Sequence, residues 1–315
     1  MNLSHAYGHP PDKADALRLL DTAFELGVRH FDTAALYGFG RNEKLVGEFL
    51  GPRREEIFLA SKCGMRGVDG KRVIDGRPET LHATIDESLQ NLRTDFIDLY
   101  YLHRWDKQVP IEDSVGALGE MVLQGKIGAI GLSEVSASTL RRAHKVMPIA
   151  AVQSEYSLWT RNPEIALLDT CRELRVALVA FSPLARGFLA AATTDTEAMT
   201  ERDIRRAMPR FQEPHRTANG QLFERFESLA SEAVCTPAQL ALAWLLDQGD
   251  HILPIPGTRS VEHLAENFEA GNITVDAKVL DAAGQLISQQ SVSGARYPSA
   301  TQAEIDTEEF VASLG

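Results

Sequence analysis

The sequence predicts a single (β/α)8 TIM barrel, and three observations carry that prediction. Short apolar strands alternate with amphipathic helical stretches at intervals of roughly 25 to 40 residues, the signature of βαβ units. No break in composition divides the 315 residues. Barrels also commonly reach this length as one unit. Residues 1–315 therefore read as one domain, with a lid-like loop over 184–220 and a C-terminal helix and tail over 276–315.

Asp12 to Leu26 places Leu17, Leu20 and Phe24 at helical spacing behind Pro11, and Gly27 stops it. Val28 to Thr33 reads as a strand, Asn42 to Leu50 as a short helix ended by Gly51-Pro52, and Ile57 to Lys62 as the next strand. Pro78 opens a helix whose Leu81, Ile85, Leu89 and Leu92 form one stripe, followed by a strand over Ile97 to Leu102. The alternation continues with a helix over Ile111 to Gln124, a strand over Ile127 to Leu132 and a helix over Ala137 to Val146. A strand over Ala150 to Ser154, a helix over Pro163 to Arg175 and a strand over Val176 to Phe181 follow. Ile252 to Ile255 is the last strand, before a Ser260 to Ala270 helix.

Between Leu184 and Gly220 the period fails, and five arginines (202, 205, 206, 210 and 216) sit among Met199, Met208, Pro209 and Phe211. Asp276 to Gln289 forms a final amphipathic helix, and the polar tail from Ser291 orders only by docking. The strands number seven, one short of a closed barrel.

Composition narrows the function. Apolar content of 44% suits a globular core, and no run approaches the roughly 18 apolar residues that a membrane span requires. A net charge of −12 argues against nucleic acid, whose backbone is bound by clustered Lys and Arg. Cys63, Cys171 and Cys235 are too few and scattered for a disulfide framework, and no charged-then-apolar leader opens the chain. The expected setting is a reducing cytoplasm. No cluster of His and carboxylates has metal-ligand spacing.

Chemistry concentrates at strand ends. His30-Phe31-Asp32-Thr33-Ala34-Ala35-Leu36-Tyr37-Gly38 sets a carboxylate and a phenol where a strand gives way to a loop. Leu59-Ala60-Ser61-Lys62-Cys63 adds an ammonium, and Leu99-Tyr100-Tyr101-Leu102-His103 an imidazole. Ligands of parallel α/β proteins gather beyond the carboxyl ends of the strands. Taken singly, Asp32 reads as a turn-former, Lys62 as half of a structural salt bridge and His103 as a core histidine; at successive strand ends they form one constellation.

With these residues the chain resembles the aldo-keto reductases, the carbonyl-reducing barrel family. The resemblance spans almost the whole chain, through Gly131-Leu132-Ser133-Glu134, Val152-Gln153-Ser154-Glu155-Tyr156, Phe181-Ser182-Pro183-Leu184 and Pro254 through Asn267. Thr236 through Ala241 and the Pro-Gly-Thr loop look like its bacterial, sugar- or aldehyde-handling branches. By resemblance, Asp32, Tyr37, Lys62 and His103 are the catalytic residues. Relatives begin with a hairpin and a first strand ending in a Met phrase, and Met1-Asn2-Leu3-Ser4 lies where that strand ends, so this chain is expected to lack both.

The implied reaction reduces an aldehyde or ketone to an alcohol, reversibly, with hydride from NADPH and a proton from Tyr37. Lys62 is expected to lower the phenol's pKa, Asp32 to hold Lys62, and His103 to donate a hydrogen bond to the carbonyl oxygen. No Gly-x-Gly-x-x-Gly phrase follows a strand, which leaves the barrel mouth for the dinucleotide. The resemblance assigns Ser133, Glu134 and Gln153 to the carboxamide, with Glu134 where many relatives have Asn, and Phe181 to the ring where many have Tyr. The Arg-rich lid is expected to clamp the diphosphate from Leu184, Arg186 and Phe188 outward, and Ser182 and Gly187 are further cofactor-binding candidates. Pro256-Gly257-Thr258-Arg259-Ser260 leads into a helix start suited to an anion, with Arg259 and His263 adding charge for a 2′-phosphate; hence NADP(H). Glu266 and Asn267 match adenine-holding positions.

Phe39, Trp105 and Trp159 are candidate walls for a small-molecule carbonyl or alcohol substrate. A nicotinamide-binding regulatory protein, like the potassium-channel β-subunits that resemble this family, is the alternative; an intact His103 favours the enzyme.

Overall fold

A computed structural model describes residues 3–190 and 195–310. Met1 and Asn2, four residues of the lid loop and the last five of the tail lie outside the described residues.

The strands are β1 (His30–Asp32), β2 (Phe58–Cys63), β3 (Met65–Val68), β4 (Lys71–Ile74), β5 (Ile97–Leu102), β6 (Ile127–Ser133), β7 (Ile149–Glu155), β8 (Ala177–Phe181) and β9 (Ile252–Ile255). The helices are α1 (Lys13–Glu25), α2 (Arg41–Leu50), α3 (Pro78–Leu92), α4 (Ile111–Leu123), α5 (Ala137–Val146) and α6 (Leu167–Leu174). They continue as α7 (His215–Glu232), α8 (Pro237–Asp247), α9 (Val261–Glu269), α10 (Ala277–Leu286) and a short α11 (Ser299–Gln302).

Seven strands form one parallel sheet in the order β1-β2-β5-β6-β7-β8-β9, the seven that the sequence predicts. Among the described residues β1 and β9 end the order and do not pair with each other, leaving a gap of one stave between them. The helical layer still closes there, because α1 packs against α9. Residues 3–9 tie across the mouth: Asn42 donates to Ser4 Oγ at 2.8 Å, Ile204 N to Ala6 O at 3.0 Å and Gly8 N to Asp203 Oδ2 at 3.2 Å.

Side chains alternate along each strand, and the two faces build two cores. Ala60, Leu99, Tyr101, Ala151 and Val179 form a cluster of their own, with Ala129, Ala177 and Ile255 packed on it, and this fills the interior. The intervening Leu59, Leu102, Ile130, Leu132, Val152 and Leu178 join the larger core under the helices. Space inside is tight enough that a Cβ on Gly131 would collide with the Tyr101 ring.

Helix ends follow local chemistry. Ser136 caps α5, Ser260 caps α9, and Thr236 with Gln239 closes a capping box on α8. Three features depart from the expected pattern. β3 and β4 form an antiparallel hairpin beyond β2. The helix expected over Pro163 to Arg175 breaks at Ala166 (φ −156°) into a 3-10 turn and α6. The lid region contains 3-10 turns and then runs into α7, whose only buried residues are Asn219, Phe226 and Ala230. Such a helix carries little apolar stripe to read.

Candidate active site

The interior parity that buries Ala60, Tyr101 and Ala151 also fixes where the polar residues point. Asp32 is in register with Ala60, Lys62 with Tyr101, and Ser133 with Gln153, two residues beyond Ala151. Glu155 and Phe181 are likewise in register. In-register residues of parallel strands project to the same side, so all of these face the barrel axis at its carboxyl end.

The structure brings the four expected catalytic residues together. Lys62 Nζ pairs with Asp32 Oδ1 and donates to the Thr33 carbonyl at 2.8 Å. Gln153 Nε2 donates to Asp32 Oδ2 at 2.8 Å, so both carboxylate oxygens are held. The ammonium lies 5.1 Å from the centroid of the Tyr37 ring, and the His103 ring meets Tyr37 edge-on at 5.7 Å. His5, which carries no signal in the sequence, packs on Tyr37 at 5.6 Å.

Burial sets the protonation states here. Desolvation raises the Tyr37 pKa above its ordinary value, outweighing the opposing pull of Lys62, so the expected net lowering does not hold. The phenol keeps its proton until something accepts it. Burial also works to discharge Lys62, but Asp32 and Tyr37 prevail and its pKa rises. His103, pressed by burial and then by Lys62 and Arg104, falls well below the usual imidazole range and is neutral.

A second polar cluster occupies the β6–β8 side of the mouth. Arg296 Nη2 donates to Glu134 Oε1 at 2.8 Å, and its Nε to Glu155 Oε2 at 3.0 Å. Arg186 Nη2 donates to Glu155 Oε2 and to Tyr297 Oη, both at 2.9 Å, and its Nη1 to Tyr7 Oη at 3.1 Å. Arg210 donates to Trp159 O at 2.7 Å and Thr160 Oγ1 at 2.9 Å. Although burial works against its charge, Glu155 is held down at about 2 by Arg296, Arg186 and Arg210. Glu134 also stays below the usual carboxylate range, burial being outweighed chiefly by Arg296.

Other candidates fall around these two clusters. Ser133 Oγ accepts from Arg104 at 3.2 Å, and Glu134 has left-handed backbone (φ 56°). Ser182, Arg186 and Gly187 are left-handed too, curling the chain past Leu184, whose carbonyl accepts from Gly187 N at 2.9 Å. Gly257 and Thr258 follow β9, where Thr258 Oγ1 accepts from Ser260 N at 3.1 Å. Arg259 donates to His9 O at 2.5 Å, and His263 N to the Ser260 cap at 3.2 Å. Glu266 and Asn267 lie on α9.

Of the candidate walls, Trp159 stacks on Phe188 at 4.3 Å. It lines a small, tight cleft with Glu155, Arg186, Arg210, Phe211 and Arg296. Phe39 is 54% exposed at the rim, against Gly67 of the hairpin. Trp105 turns toward α4 and α5 instead, donating to Val109 O at 2.9 Å under the Arg142 guanidinium.

A nicotinamide dinucleotide fits this donor and acceptor set. Buried atoms without a hydrogen-bond partner include His103 Nδ1, Glu134 Oε2 and Asn267 Oδ1, which sit at the positions expected for the carbonyl, carboxamide and adenine. Sequence reading missed Glu155, Arg104, Arg210, Arg296 and Tyr297. For Glu155 a signal existed: it lies two residues beyond Gln153 on the same strand face. For Arg296 and Tyr297, far along the tail, none did.

Comparison with known proteins agrees with this fold. Residues 1–287 match the model of the Aldo/keto reductase family. The chain is 42% identical over 300 residues to a probable aldo-keto reductase of Glycine max, covering 94% of this chain and 86% of that one. It is 41% identical over 305 residues to an aldo-keto reductase of Schizosaccharomyces pombe named with NADP(+), covering 95% and 89%. Among solved structures, the glycerol dehydrogenase of Gluconobacter oxydans superposes with a TM-score of 0.82 at 26% identity over 93% of this chain and 91% of that one. The holo aldo-keto reductase of Bacillus halodurans gives 0.75 at 26% identity over 95% and 94%. A strand-end tetrad at the mouth of a parallel barrel and a family match along nine-tenths of the sequence lead to one assignment: the chain belongs to the aldo/keto reductase family.

Proposed function

We propose that this protein reduces small aldehydes and ketones to alcohols with NADPH, Tyr37 supplying the proton. The observation that carries the reading is the desolvated Asp32–Lys62 pair beside a half-buried, protonated Tyr37 and a neutral His103. A nicotinamide held by these residues would supply the hydride that the carbonyl carbon takes up. As charge develops on the carbonyl oxygen, the Tyr37 O–H gives up its proton to it, completing the alcohol.

Transfer leaves a phenolate in a site that resists charge. Lys62 answers that cost: Asp32 and the Thr33 carbonyl take two of its N–H groups, leaving the third for the phenol oxygen. Asp32 is in turn immobilised by Gln153, which fixes the ammonium's direction. A neutral His103 has one N–H to offer the substrate oxygen and holds it within reach of Tyr37.

The carboxamide, diphosphate and adenosine roles given above to residues from Ser133 through Asn267 belong to this proposal, as does the preference for NADPH. So does sugar- or aldehyde-type chemistry. The NADP(+) in the yeast relative's name supports the cofactor. Mixing the protein with NADPH and a nitrobenzaldehyde, and following the nicotinamide absorbance, tests it. Consumption of NADPH is expected; none, with the cofactor shown to bind, refutes the reductase reading.

A further inference from the structure

A carboxamide presents two faces to a protein: an oxygen that needs a donor and an amino group that needs an acceptor. Glu134 stands at the position expected to meet it, and a carboxylate only accepts. The missing donor arrives from the far end of the chain. Arg296, beyond α10, reaches into the mouth and spends Nη2 on Glu134 and Nε on Glu155. Its Nη1 makes no hydrogen bond within the described residues.

The acceptor is also prepared. Glu134 Oε1 is saturated by Arg296, by Ser154 Oγ at 3.1 Å and by Glu155 N at 2.9 Å. Oε2 lies 2.7 Å from Arg296 Nη2, yet is buried without a well-aligned donor of its own. Position agrees with chemistry, since the Arg296 guanidinium is 5.9 Å from the centroid of Phe181, the aromatic platform expected for the ring.

We propose that Glu134 and Arg296 act as one split amide receptor for the nicotinamide carboxamide, the carboxylate accepting from its NH₂ and the guanidinium donating to its oxygen. The tail is thereby part of the cofactor site. This rests on the NADP(H) reading above, and the test separates the two. Binding to the full-length chain is followed by quenching of its tryptophan fluorescence with three probes: NADP⁺, its 3-acetylpyridine analogue and adenosine 2′,5′-bisphosphate. The analogue keeps the oxygen and lacks the NH₂; the bisphosphate has no nicotinamide.

Wild type should prefer NADP⁺ over the analogue by about tenfold or more, the worth of one hydrogen bond to a charged group. In the Glu134→Leu/Arg296→Met double variant, which exchanges a buried ion pair for apolar volume and whose fold circular dichroism checks, that preference should vanish. Its NADP⁺ affinity should fall by about tenfold or more, while bisphosphate binding stays within about twofold. Arg296→Lys keeps the charge but loses the fork, and should weaken NADP⁺ and the analogue alike by several-fold.

An unchanged preference in the double variant would overturn the proposal and leave the pair purely structural. Tighter NADP⁺ binding there would also overturn it, making Arg296 a plug over Phe181 instead. Failure of wild type to bind even the bisphosphate would overturn the cofactor reading beneath it.

Discussion

The two halves of the barrel mouth solve the burial of charge differently. On the β1–β5 side one ion pair, Lys62–Asp32, sits against a neutral phenol and a neutral imidazole, and each of these four groups comes from a strand end or the turn after it. On the β6–β8 side two carboxylates and three guanidiniums share a network assembled from strand ends, the lid and the tail. The first arrangement keeps a proton available and lets one charge form and vanish. The second carries permanent charges that hold segments in place and, on the proposal above, meet the carboxamide of the cofactor. Proton transfer and permanent charge are thus separated across a single opening.

That division can be broken from either side. Lys62→Met should have the largest effect: turnover should fall by about a thousandfold or more through loss of phenolate stabilisation. It should also cost about 3 kcal/mol of stability, because Asp32 is left buried without its cation. Steady-state kinetics and denaturant unfolding read these two losses. Glu155→Gln strikes the other side, depriving Arg186 and Arg296 of their shared carboxylate. Stability should fall by a comparable ~3 kcal/mol, and limited tryptic cleavage within 288–310 should quicken, as the docked tail loosens. A tail as protected as in wild type would mean that the network does not hold it.

Arg259→Ala should weaken NADPH by about tenfold or more and NADH little, the worth of a charged contact to the 2′-phosphate. Equal losses would remove that assignment. The smallest effect concerns pH. His103, His30 and His5 all have folded pKa values below the ordinary imidazole value, His5 at about 4. Below about pH 6.5 the unfolded chain binds protons that the folded chain refuses, so stability is full above that pH and declines as pH falls beneath it. Glu134 and Glu155 extend the loss below about pH 4.5, as their folded values are also depressed. His103→Gln should flatten the decline between about pH 6.5 and 5 in urea titrations, by up to about 1.4 kcal/mol per pH unit.

The same asymmetry governs what the sequence discloses. Asp32, Tyr37, Lys62 and His103 are legible because a short strand and its turn are local, and alternation alone then aims them at the axis. Seven strands were readable for the same reason. Arg296 lies 162 residues from Glu134 and 141 from Glu155, so nothing near either carboxylate signals its partner. Between these extremes stands the β3–β4 hairpin, which had a local signal: Asp69-Gly70, both left-handed at φ 50° and 74°, form the tight turn that this dipeptide favours. The phenol's proton affinity is not legible in the sequence, because a neighbouring cation shows there and the burial that outweighs it does not.

The central claim is that Tyr37 delivers the proton, and a single-turnover measurement reaches it most directly. Wild type and Tyr37→Phe, each premixed with saturating NADPH, are mixed with an aldehyde and the nicotinamide absorbance is followed. The account predicts that the variant binds NADPH within about threefold of wild type and loses about a thousandfold in the hydride-transfer rate. Equal single-turnover rates in the two proteins would contradict it.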